Sequence, residues 1–415
     1  MRSIIAVAAL AAPIVFAQPA LAKAGDPIPL GNGVTFDPIV EGRLRYEHVD
    51  QPTLDADAVT MRIRAGGELK MGSLSLLAEG EGTLALVDDY NAFPFAIANG
   101  QRRPGYSVVP DPMNIDLNRI QAQYRFKTAT FTIGRQRINL DDQRWVGSVA
   151  WRQNEQTFDA VRGEAKVGPV MLDGTYAISQ RTIFGIDAGP RQAFDGTFFF
   201  AGAAVKTGPV AVKGFAYLLD YDEAIAFANS SQTYGFRAVA GFPLAPKTKL
   251  NLTVSYARQS AYGSAPVKYE ADYLAGEAGI DYKGLTVLAG YEKLGTDAGA
   301  AGGASRAVQT PLATLHKFNG WADVFLTTPN KGLEDIYAGV AYKFDGIKQL
   351  PGLNAAVTYH TYNSDVGSID YGDEWNASLG FRLGQFAVLA KYAKYNADRF
   401  GTDTEKFWLQ AEFKY

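Results

Sequence analysis

The chain has no cysteine, which excludes disulfides, thiolate catalysis and cysteine-ligated metals. Histidine is nearly as scarce: His48, His316 and His360 are the three present. None has a serine or aspartate at a motif spacing, so no nucleophile–base pair is indicated. Beyond the N-terminal stretch no run of roughly 18 apolar residues occurs, which excludes membrane-spanning helices. Charge of one sign is also lacking: the formal net charge is −3, too slight to argue for nucleic acid or anionic lipid as a partner. Asp88-Asp89 and Asp141-Asp142 lack the alternating oxygen spacing of a calcium loop and read as solvated turns. The GAAGGAS stretch at 299–305 lacks the Lys-Ser/Thr and the following helix of a phosphate cradle. No catalytic residue, metal or cofactor is therefore assigned.

What is present is an address and a rhythm. Arg2, an apolar run over 3–17 and Ala20-Leu21-Ala22 have the form of a cleaved secretory signal peptide, so residues 1–22 are expected to be removed and 23–415 to form the mature domain. At the other end, Phe407, Leu409, Ala411, Phe413 and Tyr415 alternate with Lys406, Trp408, Gln410, Glu412 and Lys414. A period of two with one apolar and one mostly polar face is a strand between two solvents. The stretch resembles the closing strand of bacterial outer-membrane barrels, although an edge strand of a soluble sheet has the same pattern.

The connections separate the two readings. After an aperiodic lead-in at 26–37, Val40, Gly42, Leu44 and Tyr46 oppose Glu41, Arg43, Arg45 and Glu47, and the pattern repeats at 59–70, 74–87, 120–126 and 129–138. Thirteen further strands are expected, at 157–167, 169–179, 197–207, 209–221, 232–242, 249–259, 270–282, 285–294, 333–344, 353–362, 373–383, 385–395 and 404–415, making 18. Short turns such as Lys127-Thr128 and Lys283-Gly284 alternate with longer polar loops, 88–113 being long and carrying its own apolar residues. A soluble sandwich has no reason to sort its connections by parity. The fold class expected is all-β: a transmembrane antiparallel β-barrel of 18 strands in the outer membrane, with short periplasmic turns and long extracellular loops. Phe126, Phe131, Phe242, Tyr282, Phe344, Phe381 and Tyr415 beside the turns, and Tyr46, Tyr176, Tyr256, Tyr291 and Tyr392 near the loops, supply the two aromatic belts at the lipid headgroups.

The polar face carries arginine: Arg43, Arg45, Arg62, Arg64, Arg119, Arg125 and Arg162, interspersed with Glu41, Glu47, Glu68, Glu79, Glu81 and Glu164. Guanidinium groups stay charged and grip carboxylates with paired hydrogen bonds, so one reading is a ladder for anionic solutes. The other is a lumen of mutually neutralising Arg–Glu pairs. Arg135 and Arg137 fall on the lipid-facing phase of their strand, and a bulge at Gly134 is expected to turn both inward.

The stretch 134–163, GRQRINLDDQRWVGSVAWRQNEQTFDAVRG, resembles a segment of the alginate-export porin family, and 310–335, TPLATLHKFNGWADVFLTTPNKGLED, resembles that family's second recurring motif. The resemblance implies a single-chain barrel of 18 strands with an arginine-lined pore, to which Arg135, Arg137, Arg144, Arg152 and Arg162 belong as residues guiding uronate-like anions. All short-side turns are brief here, 345–352 being the longest, whereas the dedicated polymer exporter carries a long periplasmic plug loop. The expected activity is thus a porin passing anionic saccharides or related organic acids through the outer-membrane lipid. An exporter of an anionic exopolysaccharide working with periplasmic export partners is the alternative, and a barrel hydrolase a remoter one.

Overall fold

The structure, a computed structural model, describes residues 27–300 and 306–415; the leader expected at 1–22 lies outside these. The described residues form 19 strands: β1 (Ile28–Gly31), β2 (Val34–Asp50), β3 (Asp55–Met71), β4 (Leu74–Asp89), β5 (Asn114–Arg125), β6 (Ala129–Gln136), β7 (Thr157–Val167), β8 (Val170–Arg181), β9 (Ala193–Thr207), β10 (Val210–Tyr221), β11 (Ser231–Ala245), β12 (Thr248–Ala261), β13 (Glu270–Tyr282), β14 (Leu285–Leu294), β15 (Leu333–Lys343), β16 (Asn354–Asn363), β17 (Asp370–Leu383), β18 (Phe386–Ala397) and β19 (Thr404–Lys414). Each of β2–β19 pairs antiparallel with its neighbours in sequence, and β19 pairs β2 from Glu405↔Asp50 to Lys414↔Glu41. The sheet is therefore a closed ring of 18 strands, which leaves no strand edge to orphan its backbone groups in lipid. Among the described residues no helix is long and apolar enough to cross a membrane.

The lead-in expected to be aperiodic instead folds back. β1 pairs the start of β2 (Ile28↔Phe36, Pro29↔Thr35) through Asn32-Gly33, both at positive φ. Asn-Gly is the preferred pair for a two-residue hairpin turn, since its left-handed backbone matches the strand twist.

The outer face is apolar, with Val40, Leu44, Ile63, Leu76, Leu84, Ile120, Ile133, Val254, Val340 and Leu409 all exposed. Tyrosines near the loop ends donate to carboxylates on the next strand: Tyr46 to Asp57 (2.6 Å), Tyr256 to Asp272 (2.8 Å) and Tyr291 to Glu334 (2.8 Å). An amphipathic ring with its hydroxyl toward water is suited to that boundary.

The lumen is not simply polar. Inward Phe158, Phe198, Phe200, Tyr217, Tyr221, Tyr362, Tyr395 and Trp408 form one buried cluster with Ile138, Leu140, Val146, Leu312, Trp321 and Phe325, which come from the loops at 137–156 and 306–332. Both loops fold into the extracellular half of the ring and pack there as a core. A second cluster joins Tyr90, Phe93 and Val109 of the loop at 90–113 to Val49, Ala56 and Ala58 at the tips of β2 and β3.

Candidate functional site

Strand register assembles the charged wall. Across β19, β2, β3 and β4 one row reads Glu412, Arg43, Arg62, Thr83, and the next reads Lys414, Glu41, Arg64, Glu81. Opposite signs alternate along the second row, and Arg43 and Arg62 stand side by side in the first. Arg62 lies 3.3 Å from Glu412 and 3.6 Å from Glu41. Arg64 bonds Glu81 and lies 3.4 Å from Glu155. Arg119 grips Glu79 with two bonds of 2.9 and 2.6 Å, the fork geometry that makes such pairs strong.

The loops close onto this wall. Arg43 Nη1 donates to the carbonyl oxygens of Ala150, Trp151 and Arg152 at 3.1, 3.2 and 3.1 Å. Arg45 donates to the Trp151 carbonyl (2.5 Å) and lays its guanidinium 4.1 Å from the Trp151 ring centre. Arg152 reaches back to Glu47 at 3.1 Å. Asn118 donates to Glu155 at 2.6 Å and Arg137 bonds it as well. Burial alone would raise the Glu155 carboxyl, but Arg137 and Arg64 hold it well below the ordinary carboxylate range. Arg152 and Arg144 stay charged: burial pulls both down, yet Glu47 and Glu292 respectively raise them above the usual value.

Despite these partners, Nε of Arg43, Nη1 of Arg45, Nε and Nη1 of Arg62 and Nη2 of Arg64 make no hydrogen bond, and all are buried. A buried cationic donor without a hydrogen bond is costly; ion pairs with Asp111 and Glu155 offset part of that cost at Arg45 Nη1 and Arg64 Nη2.

The expected arginines thus divide. Arg43, Arg45, Arg62, Arg64, Arg119, Arg137 and Arg152 converge on one wall. Arg144 faces the far side, bonding Glu292 (2.8 Å) and Asn319 (3.1 Å). Arg162 pairs with Glu164 at 2.9 Å, and Arg125 donates to Gln123 at 3.2 Å near the periplasmic turns. Arg135 differs from expectation. β6 keeps unbroken register with both neighbours through Gly134, and the bulges lie instead between Glu79 and Gly80 and between Asp159 and Ala160. Gly134 is at φ 113 and a Cβ there would come within 2.3 Å of the Ile120 carbonyl oxygen, so the glycine serves close strand approach rather than a bulge. Arg135 keeps the outer phase opposite Ile120, where Asp159 meets its charge at 2.8 and 3.1 Å. Arg137 turns inward because its strand ends at Gln136.

Across the ring, β13–β15 present Glu277, Glu292 and Asp335, bonded by Tyr337 (2.9 Å), Tyr273 (2.7 Å) and His360 (2.9 Å). They line a cavity of about 50 Å³, room for a water or two. Asp142 pairs with Arg237 at 3.2 Å and Asp141 with Lys213 at 3.2 Å. His48 pairs with Asp57 near the loop end of the wall at 3.0 Å.

Sequence reasoning missed Asp111, Glu155 and Glu412 as partners and Trp151, Trp321 and Trp408 as packing. Asp111 gives no local signal; Trp151 and Glu155 lie in the WRQNEQ run without a period to place them.

A family model described as alginate export matches residues 90–319, more than half of the chain. No curated protein sequence matches. Among solved structures, Pseudomonas aeruginosa OpdQ superposes with a TM-score of 0.68 at 17% identity, covering 92% of this chain and 97% of its own. Pseudomonas aeruginosa OpdL gives 0.67 at 17%, covering 92% and 98%. OpdK of the same organism, solved with vanillate, gives 0.66 at 14%, covering 92% and 98%. At such identities the likeness establishes the fold, an outer-membrane porin-type barrel.

Proposed function

The chain belongs to the alginate export family, and on that premise we propose that it is a passive outer-membrane channel for small organic acids and anionic saccharides. The reading carries with it a leader cleaved after Ala22 and a mature barrel of 23–415. The observation that supports it is the set of buried guanidinium N–H groups on Arg43, Arg45, Arg62 and Arg64 that lack a hydrogen-bond partner where two loops meet the wall, although Glu155 and Asp111 lie within ion-pair distance of two of them. Net charge does not select the solute there, because Glu41, Glu81, Glu155 and Glu412 stand among the arginines. Selection works by exchange: a solute carboxylate takes hydrogen bonds that the resident glutamates leave open. Release, which conduction also requires, follows because the glutamates stay beside the arginines and keep the attraction shallow.

The loops at 137–156 and 306–332 favour small solutes over a polymer, because both would have to leave the lumen before a saccharide chain could thread it. Arg135, Arg125, Arg144 and Arg162 then serve as wall and rim residues, with carboxylate or amide partners of their own. Vanillate, with which OpdK was solved, is an aromatic carboxylate and belongs to the small-acid class proposed here. Liposome uptake compared between galacturonate, vanillate and neutral galactose tests the reading. Acids should pass faster than galactose; equal rates, or no uptake of any acid, would remove it.

A further inference from the structure

One lumenal carboxylate is held differently from those of the wall. Asp111 comes from the long extracellular loop at 90–113, and its side chain is fully buried. Its Oδ1 accepts from the backbone N–H of Gln153 at 2.7 Å. Its Oδ2 lies 3.5 Å from Arg45 Nη1 and 3.7 Å from Arg152 Nη1. At those distances neither Oδ2 nor Arg45 Nη1 has a hydrogen-bond partner. Arg119 and Glu79, by contrast, share two bonds no longer than 2.9 Å.

We propose that Asp111 is a specificity-determining residue: it occupies, as an internal stand-in, the place between Arg45 and Arg152 that a solute carboxylate takes during passage. The inference rests on the organic-acid reading above and names the competitor. A free carboxylate can approach both guanidinium groups at hydrogen-bonding distance, which the loop backbone denies Asp111. Charged hydrogen bonds weaken steeply when stretched, so the incoming group wins at modest concentration. Displacement also moves the loop. Tyr90 donates to the Asp111 carbonyl at 2.7 Å, Asn154 donates to the Pro112 carbonyl at 3.2 Å, and Val109 is buried in the rim cluster with Val49 and Phe93. Solute entry and lifting of the loop over the pore mouth are thereby one event. Anionic solutes trigger it and neutral ones do not, because only an anion replaces the charge that Arg45 and Arg152 lose.

The test uses the full mature protein in liposomes. Asp111→Asn keeps the acceptor for Gln153 N–H and removes the charge. Without the resident competitor, the half-saturating galacturonate concentration for uptake should fall about tenfold, the penalty of a competing state being removed. An unchanged value beside normal wild-type uptake overturns the proposal. Because the chain has no cysteine, Val109→Cys supplies a single thiol in an otherwise native loop and keeps the test open even if the asparagine variant misfolds. Its maleimide labelling should accelerate severalfold with galacturonate and not with galactose; labelling indifferent to galacturonate overturns the proposal. Absence of galacturonate uptake by the wild type would instead remove the functional reading on which the inference stands.

Discussion

Lys391 Nζ lies 2.6 Å from Nε2 of His316, between the faces of Trp151 and Trp321, 4.0 and 3.7 Å from their ring centres. The Asp323 carboxylate 2.8 Å from Nδ1 can only accept, so the ring proton sits on Nδ1 and Nε2 accepts from Lys391. Lys406 meets the same Asp323 at 3.3 Å. This contact ties the loop at 306–332 to β18 and β19, and through the Trp151 ring, stacked on His316 at 4.4 Å, it ties the loop at 137–156 as well.

The latch has a definite pH response. Burial pushes the His316 imidazole well below its ordinary pKa; Asp323 opposes this and Lys391 reinforces it. A base depressed in the docked state contributes stability that is complete above about pH 6.5 and declines below it, at ~1.4 kcal/mol per pH unit. Asp323, held well below the usual carboxylate range, does not change charge in that window. Mean conductance in a planar bilayer should therefore rise between pH 7 and pH 5. His316→Gln should flatten the curve, and a flat wild-type curve would contradict the latch.

Trp408 has no exposed surface and meets Trp151 edge-on at 5.8 Å between ring centres. Truncating it to alanine empties the middle of the lumenal core, a change that typically costs about 3–5 kcal/mol. The guanidinium unfolding midpoint of the detergent-solubilised barrel should drop clearly, with Trp408→Phe much closer to wild type.

Replacing Arg62 and Arg64 together by glutamine leaves Glu41, Glu81, Glu155 and Glu412 short of counter-charge. Reversal potentials in a salt gradient should shift toward cation preference, and galacturonate flux should fall while galactose flux changes little. The shift should shrink near 1 M salt, where the Debye length is about 3 Å. Retained anion preference at low salt would mean that these pairs act only as clamps.

Residues 92–108 cap the tips of β2 and β3 through Phe93 and its neighbours. Deleting them should raise single-channel conductance if the loop folds over the mouth; an unchanged conductance would place it outside the current path.

The wall of this protein is readable along the chain because alternation is a local signal. Val40, Leu44 and Arg43, Arg45 take opposite sides in any strand that separates lipid from water, and the 18 strands of the ring are countable on that pattern. Asn32-Gly33 is an equally local signal, but the residues around it have no period and so hide the hairpin it makes. The inside of the pore is not legible for a different reason. Asp111, Trp151 and His316 meet only after three loops fold into one space, and no spacing along the chain encodes that meeting. Arg135 marks the boundary between the two cases. Its phase along the strand is plain, but whether lipid-side placement is relieved by a bulge or by a partner depends on Asp159, one strand away.

The seam between β19 and β2 joins residues 369 positions apart at Arg43 and Glu412. It also runs through the arginine wall. Gln410 and Glu412 are the acceptors for Arg45, Arg43 and Arg62, and they reach them only when the last strand has zipped to the first. A sheet stalled one strand short would deprive Arg43 of its carboxylate and leave Arg45 and Arg62 with fewer acceptors, a more costly state than a frayed apolar edge. Closing the ring and completing the hydrogen bonding of its inward arginines are thus a single structural event.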